Sequence, residues 1–255
     1  MNRGSARILL VGLGGLGCPA ALALAHAGVG HLGLCDDDDV ERSNLHRQIL
    51  FGDGDVGAPK LEAAARALRA AVPGRPLDLH LHPTRLLPDN ALALVREYDL
   101  VLEGSDNFAT KFLAADACAL AGVPVVHASA VRWIGTALAV GAAGRPCYRC
   151  LFEDVPGEGA PNCAEAGVMG PVVGVVAAVQ ADLALAVIDA LGATASSSDH
   201  PLVGQLAGQL VTYDGRTDVL RRRAIPRRAD CPLCGQGRRI ERIQSERYVA
   251  PACAG

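Results

Sequence analysis

The 255-residue chain is 50% hydrophobic, 20% charged and 4% aromatic, enough for one large or two small domains around an aliphatic core. A formal net charge of -3 excludes a global basic field that would recruit nucleic acid. Nine cysteines is an odd count, and MNRGSARILLVG carries no export pattern, so metal binding or catalysis in the cytoplasm is expected rather than a disulfide framework.

The first half alternates strand and helix patterns. RILLVG (7–12) reads as a strand, and the Ala/Leu-rich segment 15–28 as a helix stopped by Gly28. HLGLCD (31–36) is a second strand, 57–72 a helix with Pro59 near its first turn, and LDLHLH (77–82) a strand of period two. DLVLEG (99–104), a helix over 107–122 and VPVVHA (123–128) follow. Such alternation argues for an α/β, Rossmann-like, mostly parallel sheet with helices on both faces.

The second half reads differently. TALAVG (136–141) and QLVTYDG (209–215) look like strands without intervening helices, extending the sheet in antiparallel fashion. Residues 152–167 read as a mobile loop, 168–192 as a buried helix and 195–200 as a turn or linker. The most apolar run, Val168 to Val179, is interrupted by Gly and Pro and is too short for a bilayer, which needs about 20 residues. No membrane association is expected. One domain with a modified C-terminal half is the economical organisation.

Gly12, Gly14 and Gly17 form G-x-G-x-x-G between a strand and a helix. The first glycine permits the tight turn, the second a close approach to phosphate, and the third close helix–strand packing. Asp36, about 20 residues on, is placed to meet a ribose hydroxyl. Those features alone fit a NAD(P)-dependent oxidoreductase. Asn44, Arg47, Gln48 and Lys60 follow closely, however, and such donors suit a polyphosphate better than a nicotinamide. Lys60 and Lys111 are the only lysines. Asp106, in EGSDNF (103–108), is either a Mg²⁺ carboxylate or the cap of the next helix.

Cys147–Cys150 and Cys231–Cys234 are two C-x-x-C pairs, a tetrahedral thiolate set for structural zinc that would join distant segments. A redox C-x-x-C is the competing reading. Cys163, in the loop APNCAEAG, is either a nucleophile or a bystander, whereas Cys18, Cys35, Cys118 and Cys253 read as core or terminal residues.

Together these pieces carry a resemblance. GLGGLG (12–17), DDDDVERSNLHRQ (36–48), GAPK (57–60), SDN (105–107), PCYRC (146–150), NCAEAGVMGPVVG (162–174) and CPLC (231–234) stand in order over nearly the whole chain. The chain thereby resembles the MoeB/ThiF/HesA family, bacterial relatives of ubiquitin-activating enzymes. The resemblance implies adenylation, with Mg-ATP, of the C-terminal Gly-Gly carboxylate of a ubiquitin-like sulfur carrier of the MoaD or ThiS kind, for molybdopterin or thiamin thiazole. It implies Gly14 and Gly15 against the nucleotide, with Asn107 beside them in SDN. It puts Asp36 and Asp38 on the ribose side, Asn44, Arg47, Gln48 and Lys60 at phosphates, and Asp106 on Mg²⁺. No catalytic histidine is needed, because the tail carboxylate is already ionised. Asp37 and Asp39 are expected to be solvated.

A homodimer and a sulfurtransferase or cysteine desulfurase partner are implied too, with Cys163 at the position some members use for sulfur transfer. Residues 1–130 would form the nucleotide half and 131–255 the carrier-binding, zinc-containing half. Family members carry an arginine ahead of the first strand that reaches the partner subunit's active site. Only Arg3 precedes the strand by more than a residue here, and that role is not assigned to it. A non-catalytic, zinc-stapled scaffold that binds the carrier is the remaining alternative.

Overall fold

The computed structural model describes residues 1–155, 167–193 and 207–248. β1 (Arg7–Val11), β2 (His31–Cys35), β3 (Asp78–His82) and β4 (Leu100–Glu103) alternate with α1 (Gly17–His26), α2 (Lys60–Ala71), α3 (Ala91–Val95) and α4 (Phe108–Ala121). β5 (Val125–Val131), β6 (Ile134–Val140), α5 (Tyr148–Leu151), α6 (Gly170–Ala193), β7 (Gln209–Asp214) and β8 (Val219–Ala224) follow. One eight-stranded sheet results, ordered β3-β2-β1-β4-β5-β6-β7-β8. Pairings up to β5 are parallel, and those from β5 to β8 are antiparallel. The mixed sheet expected from the sequence is therefore present.

Helices cover both faces. One core cluster packs α1, α2 and α6 against the sheet; the other joins α3, α4, α5 and residues 231–240 to the opposite face. β1 and β4 are consequently buried almost throughout, which explains their continuous apolar runs. The chain winds outward from β1 in both directions, through β2 and β3 on one side and β4 and β5 on the other. The carboxyl ends of β1 and β4 flank that switch point, where open α/β sheets place their ligands.

α6 is continuous over Gly170–Ala193, the buried helix expected over 168–192, and its apolar run extends beyond the expected limit at Val179. Pro171 sits in its first turn, where a missing N–H costs nothing. Residues Gly170–Gly192 are long and apolar enough to cross a membrane, but 56% of the apolar window is buried within the protein, with α1, β5 and β6 as neighbours. β8 and the short α3 and α5 escaped the pattern reading.

Candidate functional site

A cavity of about 420 Å³ opens at the switch point. Gly12, Gly14, Gly15, Asp36, Asp38, Asn44, Arg47, Gln48, Lys60, Asp106 and Asn107 all line it. Gly17 alone of the nucleotide residues expected from the sequence does not. A Cβ on Gly17 would lie 2.0 Å from the carbonyl oxygen of Gly12, so this glycine lets α1 close onto the turn rather than meeting a ligand. Gly12 has a φ of 90°, the left-handed region a tight turn demands.

Asp36 ties the turn to the acidic run. Its Oδ2 accepts the Leu13 N–H at 2.6 Å and its Oδ1 the Asp38 N–H at 2.9 Å. Lys60, at the start of α2, is only 4% exposed. Its Nζ donates to Asp38 Oδ2 at 2.7 Å and stands 3.7 Å from Asp36 Oδ1. Burial alone would lower its pKa, but the two carboxylates outweigh burial and raise it, so Lys60 remains a cation. Asp38 thus holds Lys60 as well as lining the crevice.

Asp37 is exposed, as expected, and forms a surface ion pair. Arg85 Nε donates to Asp37 Oδ1 at 2.9 Å, and Arg85 Nη2 lies 3.6 Å from Asp38 Oδ1. Arg85 itself lines the cavity, and no motif pointed to it. Asp39 is exposed, as expected.

Arg47 pairs with no carboxylate among the described residues, and its Nη1 lies 3.4 Å from His46 Nε2. A Cβ on Gly15 would come within 3.1 Å of Arg47 Cγ and 2.9 Å of Val173 Cγ1, so the arginine and α6 close tightly over the turn. Asn44 donates from Nδ2 to Glu41 Oε2 at 3.3 Å. Gln48 is buried, and its Oε1 has no hydrogen-bond partner among the described residues. A buried orphan acceptor at a cavity wall is what a ligand donor or bound water would satisfy.

Asp106 does not cap α4. Asn107 does, its Oδ1 accepting the Thr110 N–H at 2.8 Å. Part of Asn107's polar capacity is therefore spent on the helix, while Asp106 stays exposed at the rim with no ion-pair partner among the described residues.

Behind the floor lies a buried network that motif reading missed. Glu103, fully buried at the end of β4, accepts from Lys111 Nζ at 2.9 Å and from the Ser105 N–H at 2.8 Å; His127 Nδ1 lies 3.3 Å away. Burial pushes the Glu103 carboxyl up, but Lys111, His127 and Ser105 outweigh it and hold the group at about 2. Lys111 also donates to the Ala128 carbonyl. The His127 ring sits 4.5 Å from the ring of Tyr148, which lies between the first two zinc-type cysteines. The spare lysine noticed in the sequence could have pointed here, since a buried lysine needs a carboxylate.

Cys147, Cys150, Cys231 and Cys234 converge, all buried. Sγ separations are 3.9 Å for Cys147–Cys150, 3.5 Å for Cys147–Cys231 and 3.3 Å for Cys150–Cys234. A tetrahedron with bonds of about 2.3 Å has edges of about 3.8 Å, so the set fits zinc. Arg149, within the same motif, is locked by Asp116 of α4 through Nε at 2.8 Å and Nη2 at 2.9 Å, and the Tyr248 hydroxyl donates to Asp116 as well. Burial pushes the thiols of Cys18 and Cys35 up to about 12, in keeping with inert core residues. Cys163 and Cys253 lie outside the described residues.

Comparison with known proteins agrees with this geometry. The ThiF family model matches residues 3–233. The adenylyltransferase and sulfurtransferase MOCS3 of Mus musculus is 43% identical over 242 residues, covering 94% of this chain and 50% of that protein. The protein of the same name from Drosophila sechellia is 42% identical over 229 residues, 89% of this chain and 48% of its own. The chain thus spans about half the length of these curated relatives. Among solved structures, E. coli MccB with ATP superposes with a TM-score of 0.75 at 22% identity, covering 91% of this chain and 68% of that one. PaaA gives 0.68 at 21% identity, covering 88% and 65%. These two share the fold. With most of its length matched by the family model and more than two fifths of its residues shared with MOCS3, the chain belongs to the ThiF family.

Proposed function

We propose that the chain is an ATP-dependent adenylyltransferase that activates the C-terminal glycine carboxylate of a small ubiquitin-like sulfur carrier. The observation that supports this best is the gathering of Arg47, Lys60, Gln48 and Asp106 with the glycine turn in one crevice at the switch point. Two cations and an unpaired carboxylate around a glycine turn suit a polyphosphate with Mg²⁺ better than a nicotinamide ring.

Attack by the tail carboxylate on the α-phosphate brings anions together. Arg47, which pairs with no carboxylate among the described residues, and Lys60 offset the charge as it develops. Asp106 would hold Mg²⁺, which supplies further neutralisation at the phosphates. Asp36 and Asp38 would serve the ribose side, with Asn44 and Gln48 orienting phosphates. The tail is already ionised, so no side chain has to take a proton.

The four-cysteine cluster is read as structural zinc, fastening residues 231–234 to residues 147–150. A reducing, cytoplasmic setting suits such thiolates. Residues 1–130 act as the nucleotide half and 131–255 as the carrier-binding half of a single unit. It works as a homodimer, with a MoaD- or ThiS-like carrier, and Cys163 takes part in sulfur transfer with a sulfurtransferase or cysteine desulfurase as a further partner. The MOCS3 relatives are named for both adenylyl and sulfur transfer. Carrier-dependent ATP–pyrophosphate exchange tests the reading. Exchange with carrier and none without it is expected; none under either condition rejects catalysis and leaves a carrier-binding scaffold.

A further inference from the structure

The crevice and the cysteine cluster do not use a third constellation, formed where β2 and β3 begin. His31 opens β2 and lies directly opposite Asp78 in the parallel pairing, with His80 two residues further along the same face of β3. His80 Nε2 lies 2.9 Å from Asp78 Oδ2, and His31 Nδ1 lies 3.3 Å from that same oxygen. All three ligand atoms fall within 4.8 Å of one another.

We infer that His31, Asp78 and His80 form a second metal site, for a borderline divalent cation of the zinc or nickel kind. The donor chemistry is two imidazole nitrogens and one carboxylate oxygen, which suits zinc, nickel or copper rather than magnesium or calcium. The spacing agrees as well. Bonds of about 2.1 Å at tetrahedral to octahedral angles separate neighbouring donors by about 3.0–3.4 Å.

The scaffold is rigid. Both histidines and the aspartate stand on paired strands, and Leu79 between Asp78 and His80 points into the core. The side chains are 38%, 56% and 45% exposed for His31, Asp78 and His80, so an ion can enter and keep water in its remaining positions. The site sits at the amino end of the sheet, whereas the crevice lies at the carboxyl ends of β1 and β4, and the cysteines pack on the face covered by α3, α4 and α5. It is therefore separate from both. An ion here would pin the edge strand β3 to β2.

The test is a calorimetric titration of the whole chain with Zn²⁺, after its resident metal content has been measured. The expected result is one additional equivalent per chain in the wild type, lost or weakened by more than about tenfold in His31→Ala and in His80→Ala. Even a partner of a metal ligand is worth 10–100-fold in affinity, so removing a ligand should cost no less. Because these side chains are exposed, the variants should keep the wild-type circular dichroism and metal-free melting point. Asp78→Asn, which keeps the shape but not the charge, should weaken the same equivalent. No additional equivalent in the wild type, or one that survives both histidine substitutions, overturns the inference.

Discussion

Lys60 Nζ, itself buried, stands 2.7 Å from Oδ2 of the half-exposed Asp38 at the crevice wall. One carboxylate of the four-aspartate run therefore anchors the crevice's buried cation, and a second, Asp36, adds its charge from 3.7 Å. Replacing Lys60 with Met should leave Asp36 with less compensation and cost about 1–3 kcal/mol of stability. It should also lower carrier-dependent exchange by at least about a hundredfold, as loss of one preorganised charge contact typically does. Urea unfolding and exchange assays on the same preparation separate the two effects. Since the Lys60 pKa is raised, its contribution is complete below the ordinary lysine value of 10.5 and is lost only above it. The exchange rate should show no Lys60 step near neutral pH.

The Glu103–Lys111 pair is buried on both sides behind the crevice. Lys111→Met strands a fully buried carboxylate and should cost about 3–5 kcal/mol, read as a lower urea midpoint. Glu103 is held at about 2, below its ordinary 4.5, so its stabilisation is present above pH 4.5 and fades as pH falls toward 2. Burial also lowers His127, outweighing the pull of Glu103, so its contribution is complete above pH 6.5 and declines on acidification. Stability should thus start to fall below about pH 6.5 and fall further below 4.5. In His127→Gln the first of these two declines should shrink.

The four-cysteine cluster joins segments more than 80 residues apart, Cys147 and Cys231 lying at a sequence separation of 84. About one zinc per chain is expected by elemental analysis, beyond any at the histidine site, and Cys147→Ser should lose it. Chelation should lower the melting temperature and expose residues 225–248 to protease first. A native protein with no metal at these cysteines contradicts the assignment.

Gly17→Ala should damage the fold before it damages binding. Its Cβ would meet the Gly12 carbonyl at 2.0 Å, against backbone that cannot give way, so a loss of about 1–3 kcal/mol or more is expected by thermal melts.

Legibility followed chemistry that is local in sequence. The glycine turn, the acid that follows it and the four cysteines were readable because strand–turn–helix spacing and C-x-x-C pairs are short-range constraints. β8, VLRRRA, was not, because three arginines replace the alternation of a half-buried strand at a sheet edge that faces solvent. Arg85, His127 and Asp116 were invisible for another reason. Their partners lie 48, 24 and 33 residues away, and only the folded sheet brings them together. Asn107 shows the converse. Its motif was legible, but its work as the α4 cap could equally have fallen to Asp106 until the hydrogen bond to Thr110 was seen.

Adenylation leaves a mark on the carrier, and weighing the carrier detects it directly. The protein would be mixed with Mg-ATP and each candidate carrier bearing a Gly-Gly tail, then the carrier analysed by mass spectrometry. A gain of one adenylyl group on one carrier, absent without ATP and strongly reduced in Arg47→Ala, is the expected result. No gain on any carrier contradicts the central claim.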